Sequence, residues 1–394
     1  MDRRKFLNSS ATLTLMSPLM NRAFAEATDD ARLVLVILRG GLDGMAAAPA
    51  YGEGRYRNLR GQLALGEPGS EGGVLKLDGL FGLHPSLTNM HSMYRDGDLA
   101  VVHAIASPYR ERSHFDGQKV LEAGGVSPST SNGGWLNRAL TALAAESFER
   151  EAIALASTVP LVLRGTETVT SWAPSRLPDS DADTLARVRQ IYEAADPALA
   201  MRLTEALNAR DLAGETGMDG MRPGGQQLAP ITTAAARFLA AADGPRIAVI
   251  EANGWDTHAN QGAANGGLAI RLQQLDAGLA SFKSELGSNW DKTTVMVVTE
   301  FGRTVAVNGT RGTDHGTAGC AFVAGGAVAG GRVIADWPGL AERELFEGRD
   351  LAPTLDLRAV FKGVLSEQYG LSARALESSI FPGSEAIEPI SLSA

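Results

Sequence analysis

Residues 33–38 read LVLVIL, and residues 39–44, which follow directly, read RGGLDG. The first stretch is a continuous apolar run, β-branched in part, and such runs are typical of parallel strands that are buried on both faces. The glycines after it mark the point where the strand ends and the chain turns. Similar apolar runs lie at 99–105, 247–250, 294–299 and 321–324, with a shorter one at 161–163. The sequence therefore predicts a set of buried strands spread along the chain.

Helical patterns separate these strands. They cover residues 85–95, 115–123, 135–145, 183–208, 231–242 and 268–286. Because strands and helices alternate, we predict an α/β fold of three layers, α/β/α, with a mostly parallel central sheet. A single domain over residues 30–390 accommodates these elements. It carries loop insertions at about 51–82 and 211–227, where glycines are frequent and periodicity is absent.

Composition excludes some classes of function. The chain has 394 residues, of which 44% are hydrophobic and 21% are charged, so it can bury a large core. The formal net charge is −9, which excludes nucleic acid as an expected partner because phosphate binding needs a basic face. Cys320 is the only cysteine, so no disulfide can form within the chain.

The N-terminus has the pattern of an export signal. Arg3 and Arg4 precede a weakly apolar stretch at 11–20, and residues 23–25 read AFA, a small-x-small cleavage site. This order predicts a twin-arginine signal peptide over residues 1–25, the Tat translocase as a partner during export, and a periplasmic or secreted protein. The apolar stretch is too short for a stable membrane anchor. The alternative is a cytosolic helix that carries two arginines by chance.

Acidic and histidine side chains follow the predicted strands at four or five successive ends. Ligands of open α/β sheets bind at the carboxyl ends of the strands, so we expect these side chains to meet at one edge. The candidate metal ligands are Asp43, Asp256, His258, Glu300, Asp314 and His315. Carboxylates combined with imidazoles suit a divalent cation such as zinc, manganese or magnesium.

Each candidate also has a structural interpretation. Ser113 begins a predicted helix, so it is either an N-cap or a nucleophile whose pKa a metal lowers. Asp43 can be a turn residue, and residues 314–316 can form a structural turn. His258 can be a hydrogen-bonded neighbour of the site rather than a part of it. The clustering of these residues carries the prediction more than any one of them does.

Five short motifs occur in order along nearly the whole chain. They read RGGLDG at 39–44, RSHF at 112–115, WDTH at 255–258, EFGRT at 300–304 and GTDHG at 312–316. With these motifs the chain resembles domain-of-unknown-function family 1501, a family of twin-arginine-exported bacterial proteins. That family is similar to the alkaline phosphatase and sulfatase superfamily. The resemblance implies an alkaline phosphatase-like fold and metal-dependent hydrolysis of an anionic phosphate or sulfate ester, small or glycan-borne.

The same resemblance implies roles for individual residues. Metal would be held by Asp43, Asp256, Glu300 and His315. Ser113 would attack the phosphorus or sulfur, and His114 or His258 would assist proton transfer or bind metal. Arg303 or Arg112 would brace the anionic oxygens of the ester.

Two departures from the superfamily pattern bear on this expectation. Phe301 follows Glu300 where an imidazole is expected, and Asn260 stands where another histidine is expected. One of two metal sites would lose a ligand, unless His114, Asp116 or Asp314 compensates, or the protein holds one metal. The alternative function is therefore a binding or assembly protein that uses the same scaffold without turnover.

Overall fold

The computed structural model of the protein describes residues 30–130, 133–145, 151–174, 181–213 and 228–393. The predicted signal peptide lies outside the described residues, and so do positions 214–227 of the second predicted loop. Within the described ranges, no helix is long and apolar enough to cross a membrane.

Eleven strands are present in the described part of the chain. They are β1 (Arg32–Arg39), β2 (Leu75–Lys76), β3 (Gly82–Leu83), β4 (Leu99–Ala106), β5 (Ala152–Leu155), β6 (Thr170–Ser171), β7 (Ile247–Asn253), β8 (Thr293–Thr299), β9 (Gly319–Ala324), β10 (Arg332–Ile334) and β11 (Leu355–Asp356).

Over the same described ranges, ten α-helices and several shorter helical segments connect these strands. The helices are α1 (Gly44–Ala47), α2 (Tyr56–Arg60), α3 (Thr88–Asp96), α4 (His114–Ala123), α5 (Trp135–Ala145), α6 (Ala182–Ala195), α7 (Pro197–Ala213), α8 (Leu228–Ala240), α9 (Gly267–Leu286) and α10 (Leu357–Tyr369). Single 3-10 turns lie at Gly61–Leu63, Leu161–Leu163, Gly287–Lys292 and Glu342–Glu344, and a π-helix lies at Ala375–Ile380.

The central sheet is mixed but mostly parallel, as predicted. Its strand order is β10-β4-β9-β8-β1-β7-β5-β6, with β11 paired to β4. β1 pairs in parallel with β7 on one side and with β8 on the other. β9 runs antiparallel to both of its neighbours, β4 and β8. Consequently β4 points the same way as β8, and its carboxyl end reaches the same edge of the sheet.

The two faces of β1 explain the three layers. Val34, Val36 and Leu38 belong to a core shared with α3, α8 and α9, whereas the alternate residues Leu33 and Leu35 face α5 and α10. Because successive strand side chains point to opposite faces, a run that is apolar at every position needs cover on both sides. The predicted α/β/α layering is therefore confirmed.

Three local predictions need correction. The segment 183–208, expected as one helix, forms α6 and α7, and the break falls at Asp196. Pro197 starts α7, where its missing N–H costs nothing, whereas inside a continuous helix it would remove a hydrogen bond. The run Leu161–Leu163 is a 3-10 turn rather than a strand. The segment 51–82 contains α2, a 3-10 turn and the β2–β3 pair, so it is more ordered than the loop we expected.

A histidine inside this fold makes its stability depend on pH. His103 lies fully buried on β4, where its Nε2 faces the Ala48 carbonyl at 2.9 Å and its Nδ1 accepts from the Ala104 N–H. Burial lowers the pKa of His103 from 6.5 to about 4, although the bond to Ala48 opposes that shift. The folded state thus keeps this ring neutral at a pH where the unfolded chain binds a proton.

We predict that this group stabilises the fold above pH 6.5 and that its contribution is lost as the pH falls towards 4. The loss amounts to about 3 kcal/mol of unfolding free energy. Denaturant unfolding of the wild type and of His103→Gln across this range measures it, since the variant should show a shallower decline. His91→Gln, on the surface of α3, is the matched control. Equal pH slopes for wild type and His103→Gln would contradict the prediction.

Candidate metal centre

Four parallel strands deliver their carboxyl ends to one edge of the sheet. At this edge Arg39 of β1 lies opposite Asn253 of β7, and Leu38 lies opposite Thr299 of β8. The segments 40–44, 254–258 and 300–304 therefore start side by side, and the connection from β4 to α4 begins at the same edge. The predicted meeting of side chains at the strand ends follows from this pairing.

The turn after β1 depends on two glycines. Gly40 has φ +122°, and a Cβ there would lie 2.5 Å from the Asp256 backbone nitrogen. Gly41 has φ +72°, and its Cβ would lie 2.9 Å from Cε2 of Phe301. Any other residue would be strained and would clash, so these glycines let the strand ends approach one another closely. Their positions account for the RGG part of the first motif.

Four side chains converge at this edge. Ligand atoms of His114, Asp256 and His315 all lie within 4.8 Å of one another. Asp256 Oδ1 is 3.0 Å from His258 Nε2 and 3.4 Å from His315 Nε2, and its Oδ2 is 3.5 Å from His114 Nε2. The two imidazole nitrogens of His258 and His315 are 2.9 Å apart. Three rings thus direct their Nε2 atoms at one carboxylate.

Hydrogen bonds behind two of the rings assign their tautomers. His315 Nδ1 faces the Arg112 carbonyl at 2.8 Å, and a carbonyl only accepts, so Nδ1 carries the proton and Nε2 keeps its lone pair. His114 Nδ1 faces Glu300 Oε1 at 2.8 Å in the same way. His114 Nε2 is buried and has no hydrogen-bond partner among the described residues. Both Nε2 atoms are therefore placed to bind a cation.

The third ring has a comparable partner. His258 Nδ1 lies 3.2 Å from Asp314 Oδ1, so Asp314 backs this imidazole as Glu300 backs His114. Asn308 also donates to Asp314, and this bond, with that of His258, keeps the pKa of Asp314 below its usual range despite some burial. Asp314 thus supports the cluster from outside and remains about half exposed.

The donor set fits a divalent cation. The lone pairs of two such nitrogen or oxygen atoms repel each other at a separation of about 3 Å, unless a proton or a metal ion lies between the atoms. Zinc bound tetrahedrally at about 2.05 Å separates its ligand atoms by about 3.3 Å, close to the spacings found here. Burial lowers the pKa of His315, which keeps its ring neutral and available. The hydrogen bond to Glu300 raises the pKa of His114, so a proton competes with metal at that ring.

Arg303 fixes the carboxylate of the cluster. Its side chain is fully buried, and its Nη1 donates to Asp256 Oδ1 at 2.6 Å while its Nε donates to Thr313 Oγ1. Burial tends to raise the pKa of Asp256, but the bond and the charge of Arg303 outweigh it and hold this pKa below its usual value. The sequence predicts that Arg303 braces the ester oxygens. In the structure its N–H groups donate hydrogen bonds to Asp256 and Thr313.

Glu300 also plays a supporting part. Its side chain is fully buried and accepts from Gly40 N at 2.8 Å, from Gln118 Nε2 at 3.1 Å and from Thr299 Oγ1 at 3.0 Å, besides the His114 ring. Burial raises the pKa of Glu300, but the bond from His114 and the other donors bring it below its ordinary value. The structure therefore places Glu300 behind a ligand rather than among the converging ligand atoms.

Asp43 is engaged elsewhere. Its carboxylate forms a buried ion pair with Arg60, and Oδ2 also accepts from Gln261 Nε2 at 2.6 Å. Its Oδ1 accepts from the Ala46 N–H and caps α1. Asp43 therefore has a structural role at the turn before α1. It is not one of the residues whose ligand atoms converge.

Ser113 has the backbone of an N-cap without the capping bond. It precedes α4 in extended conformation, and its side chain does not bond the helix N–H groups. Within the described residues its hydroxyl has no hydrogen-bond partner. Arg112 before it adopts φ +61° and pairs with Glu347 and Asp350, which aims its carbonyl at His315.

The sequence profile of the family described as Protein of unknown function (DUF1501) matches residues 75–380, most of the chain. The chain belongs to this family.

A search of curated proteins gives no significant match. The phosphonate monoester hydrolase of Agrobacterium radiobacter is 13% identical over 79% of this chain and 73% of that chain, with a TM-score of 0.31. BT1596, a 2-O GAG sulfatase, is 14% identical over 92% of this chain and 73% of that chain, with a TM-score of 0.35. Neither match assigns an activity.

In this DUF1501 chain, Phe301 forms the floor of the centre. Its ring is 3% exposed, stacks on His114 with centroids 4.8 Å apart, and lies 5.1 Å from the His315 ring. The family resemblance implies an imidazole at position 301, and the phenyl ring found there packs against the imidazole rings of His114 and His315. No local motif predicts that Arg60, Gln261 and Asp350 lie in this region, because each of them contacts a partner that is distant in the sequence.

The Glu300–His114 contact gives a direct prediction. We expect Glu300→Gln to weaken divalent-metal binding by about 10- to 100-fold, because the carboxylate orients the His114 ring and increases its basicity. Competition with a fluorescent chelator measures the dissociation constant. Glu67→Gln, which alters a surface pair with Arg57, should leave it unchanged. Unaltered affinity in Glu300→Gln would show that His114 is not a ligand.

Proposed function

We propose that the protein is an exported, metal-dependent hydrolase of phosphate or sulfate esters. The convergence of the His114, His258 and His315 Nε2 atoms on Asp256 carries this proposal. The side chains of this cluster are between 23% and 43% exposed, so a cation and an ester have access to them from solvent. A catalytic metal site differs from a closed structural one by this access.

Each part of the centre has a role in the proposal. His114, Asp256, His258 and His315 would hold the metal. When bound, a divalent cation there supplies a Lewis acid for an ester oxygen and lowers the pKa of a coordinated hydroxyl or water. The protein's own groups fix the geometry in advance, because Glu300 and the Arg112 carbonyl lock two of the rings.

The start of α4 favours an anionic substrate. Its first N–H groups lack partners within the helix and carry the positive end of the helix dipole. Ser113 stands at this end, one residue before His114, with a hydroxyl that no capping bond engages. Ser113 is therefore the proposed nucleophile: its oxygen would form a bond to phosphorus or sulfur, the bond to the leaving oxygen would break, and the hydroxyl proton would pass to that oxygen, which departs as the alcohol.

Export belongs to the proposal through the N-terminal signal. Residues 3–4 and the segment 23–25 support passage through the twin-arginine route to the periplasm or beyond. That route carries folded proteins, so a metal can be acquired before or after export.

Metal content and turnover together test the hydrolase. The wild type should bind a divalent cation and hydrolyse an aryl phosphate or an aryl sulfate. His315→Ala should lose metal affinity by at least about 100-fold, more than a supporting residue costs. Ser113→Ala should keep the metal and lose turnover by at least about 1,000-fold. Elemental analysis and a chromogenic assay provide the readouts, with His91→Gln as the control.

A binding protein without turnover is the second candidate. The neutralisation of Asp43 by Arg60 and the commitment of Arg303 to Asp256 favour it, because both reduce the groups left for chemistry. Wild-type protein that binds metal but hydrolyses neither class of ester would support this candidate. Turnover that survives both His315→Ala and Ser113→Ala would contradict both candidates.

A further inference from the structure

Asp43 has a built-in cation where a metal would otherwise be expected. We propose that the centre takes one divalent cation per chain and that the buried guanidinium of Arg60 stands in place of a second one at Asp43. This inference rests on the proposed metal site and specifies its stoichiometry. It contradicts the assignment of Asp43 as a metal ligand that the family resemblance implies.

The burial of the pair is the first argument. The side chains of Arg60 and Asp43 are both fully buried, and Arg60 Nη2 contacts Asp43 Oδ2 directly. Arg60 Nη1 donates to the carbonyls of Thr304 at 3.3 Å and of Val305 at 3.2 Å, so the guanidinium is anchored on the last residue of the EFGRT motif and on the residue after it. The buried guanidinium therefore occupies the place beside Asp43 Oδ2 that a second cation would take.

Charge balance is the second argument. A buried carboxylate is stable only when an opposite charge and hydrogen bonds compensate it, and Asp43 has both. Gln261 and the Ala46 N–H bond its two oxygens, besides Arg60. A divalent cation next to this buried guanidinium would meet like charge at low local dielectric, where repulsion is strong.

Hydrogen bonds connect this pair to the metal centre. Gln261 Nε2 donates to Asp43, while Gln261 Oε1 accepts from Thr313 Oγ1 at 2.9 Å. Thr313 Oγ1 in turn accepts from Arg303 Nε, and Arg303 Nη1 donates to Asp256. The buried Asp43–Arg60 pair therefore helps to position the Asp256 carboxylate. Asp43 would affect a bound metal through these other residues rather than by direct contact.

Metal stoichiometry of the full mature chain is the first test. The protein is loaded with zinc or with manganese, freed of excess metal and analysed for metal per chain, with calorimetric titration as a second readout. One equivalent is expected. Two equivalents would overturn this inference alone and leave the hydrolase intact. No bound metal would overturn the inference together with the proposed function.

Three variants test the role of the pair. Asp43→Asn and Arg60→Met each leave one partner buried without its opposite charge, so each should melt at a lower temperature than the double variant. The folded double variant should still bind one metal, with a dissociation constant raised by less than about 10-fold, whereas His315→Ala loses it. A loss of metal from the folded double variant as complete as that in His315→Ala would exceed the effect of positioning Asp256 and would overturn the inference.

Discussion

Parallel pairing of β1 with β7 on one side and β8 on the other is the constraint on which the centre depends. The registers Arg39–Asn253 and Leu38–Thr299 end these three strands at the same level, so three connections leave the sheet together. A shift of one residue in either register would turn the following side chains to the other face. The apolar sequence of β1, covered by helices on both faces, keeps that register fixed.

The centre is organised in two layers that differ in burial. The side chains of the cluster are partly exposed, whereas the groups behind them are fully buried: Glu300 behind His114, and Arg303 behind Asp256. Buried charges are costly unless hydrogen bonds and opposite charges compensate them, and the inner layer meets that condition at each residue described. Rigid support of this kind would fix the orientation of the side chains that are proposed to hold a metal.

Much of this arrangement is predictable from the sequence because it depends on local pattern. Buried strands show as continuous apolar runs, and because the residues after them gather at one edge of the sheet, the sequence predicts that His258 and His315 lie near Asp256, as the structure has them. The helix break at Pro197 was also readable from the sequence, but the apolar periodicity on either side of it suggested one helix.

The sequence does not reveal which acidic residues belong to the converging cluster and which ones support it from behind. Asp43 and Glu300 follow strands just as Asp256 does, and only the structure places Asp43 against Arg60 and Glu300 against His114. Such partners lie up to 186 residues away in the chain, so no spacing rule reveals them. For the same reason Phe301 could be read as a lost ligand, although it packs under two imidazole rings.

X-ray absorption spectroscopy of the zinc-loaded protein tests the metal centre most directly, because it reports the ligands of the ion itself. Three imidazoles and one or more oxygen atoms at about 2.0–2.1 Å are expected, with the outer-shell scattering of three rings. His315→Ala, if loaded at high zinc, should show two rings. An ion coordinated by oxygen alone, or by a single imidazole, would contradict the assignment of His114, His258 and His315 as ligands.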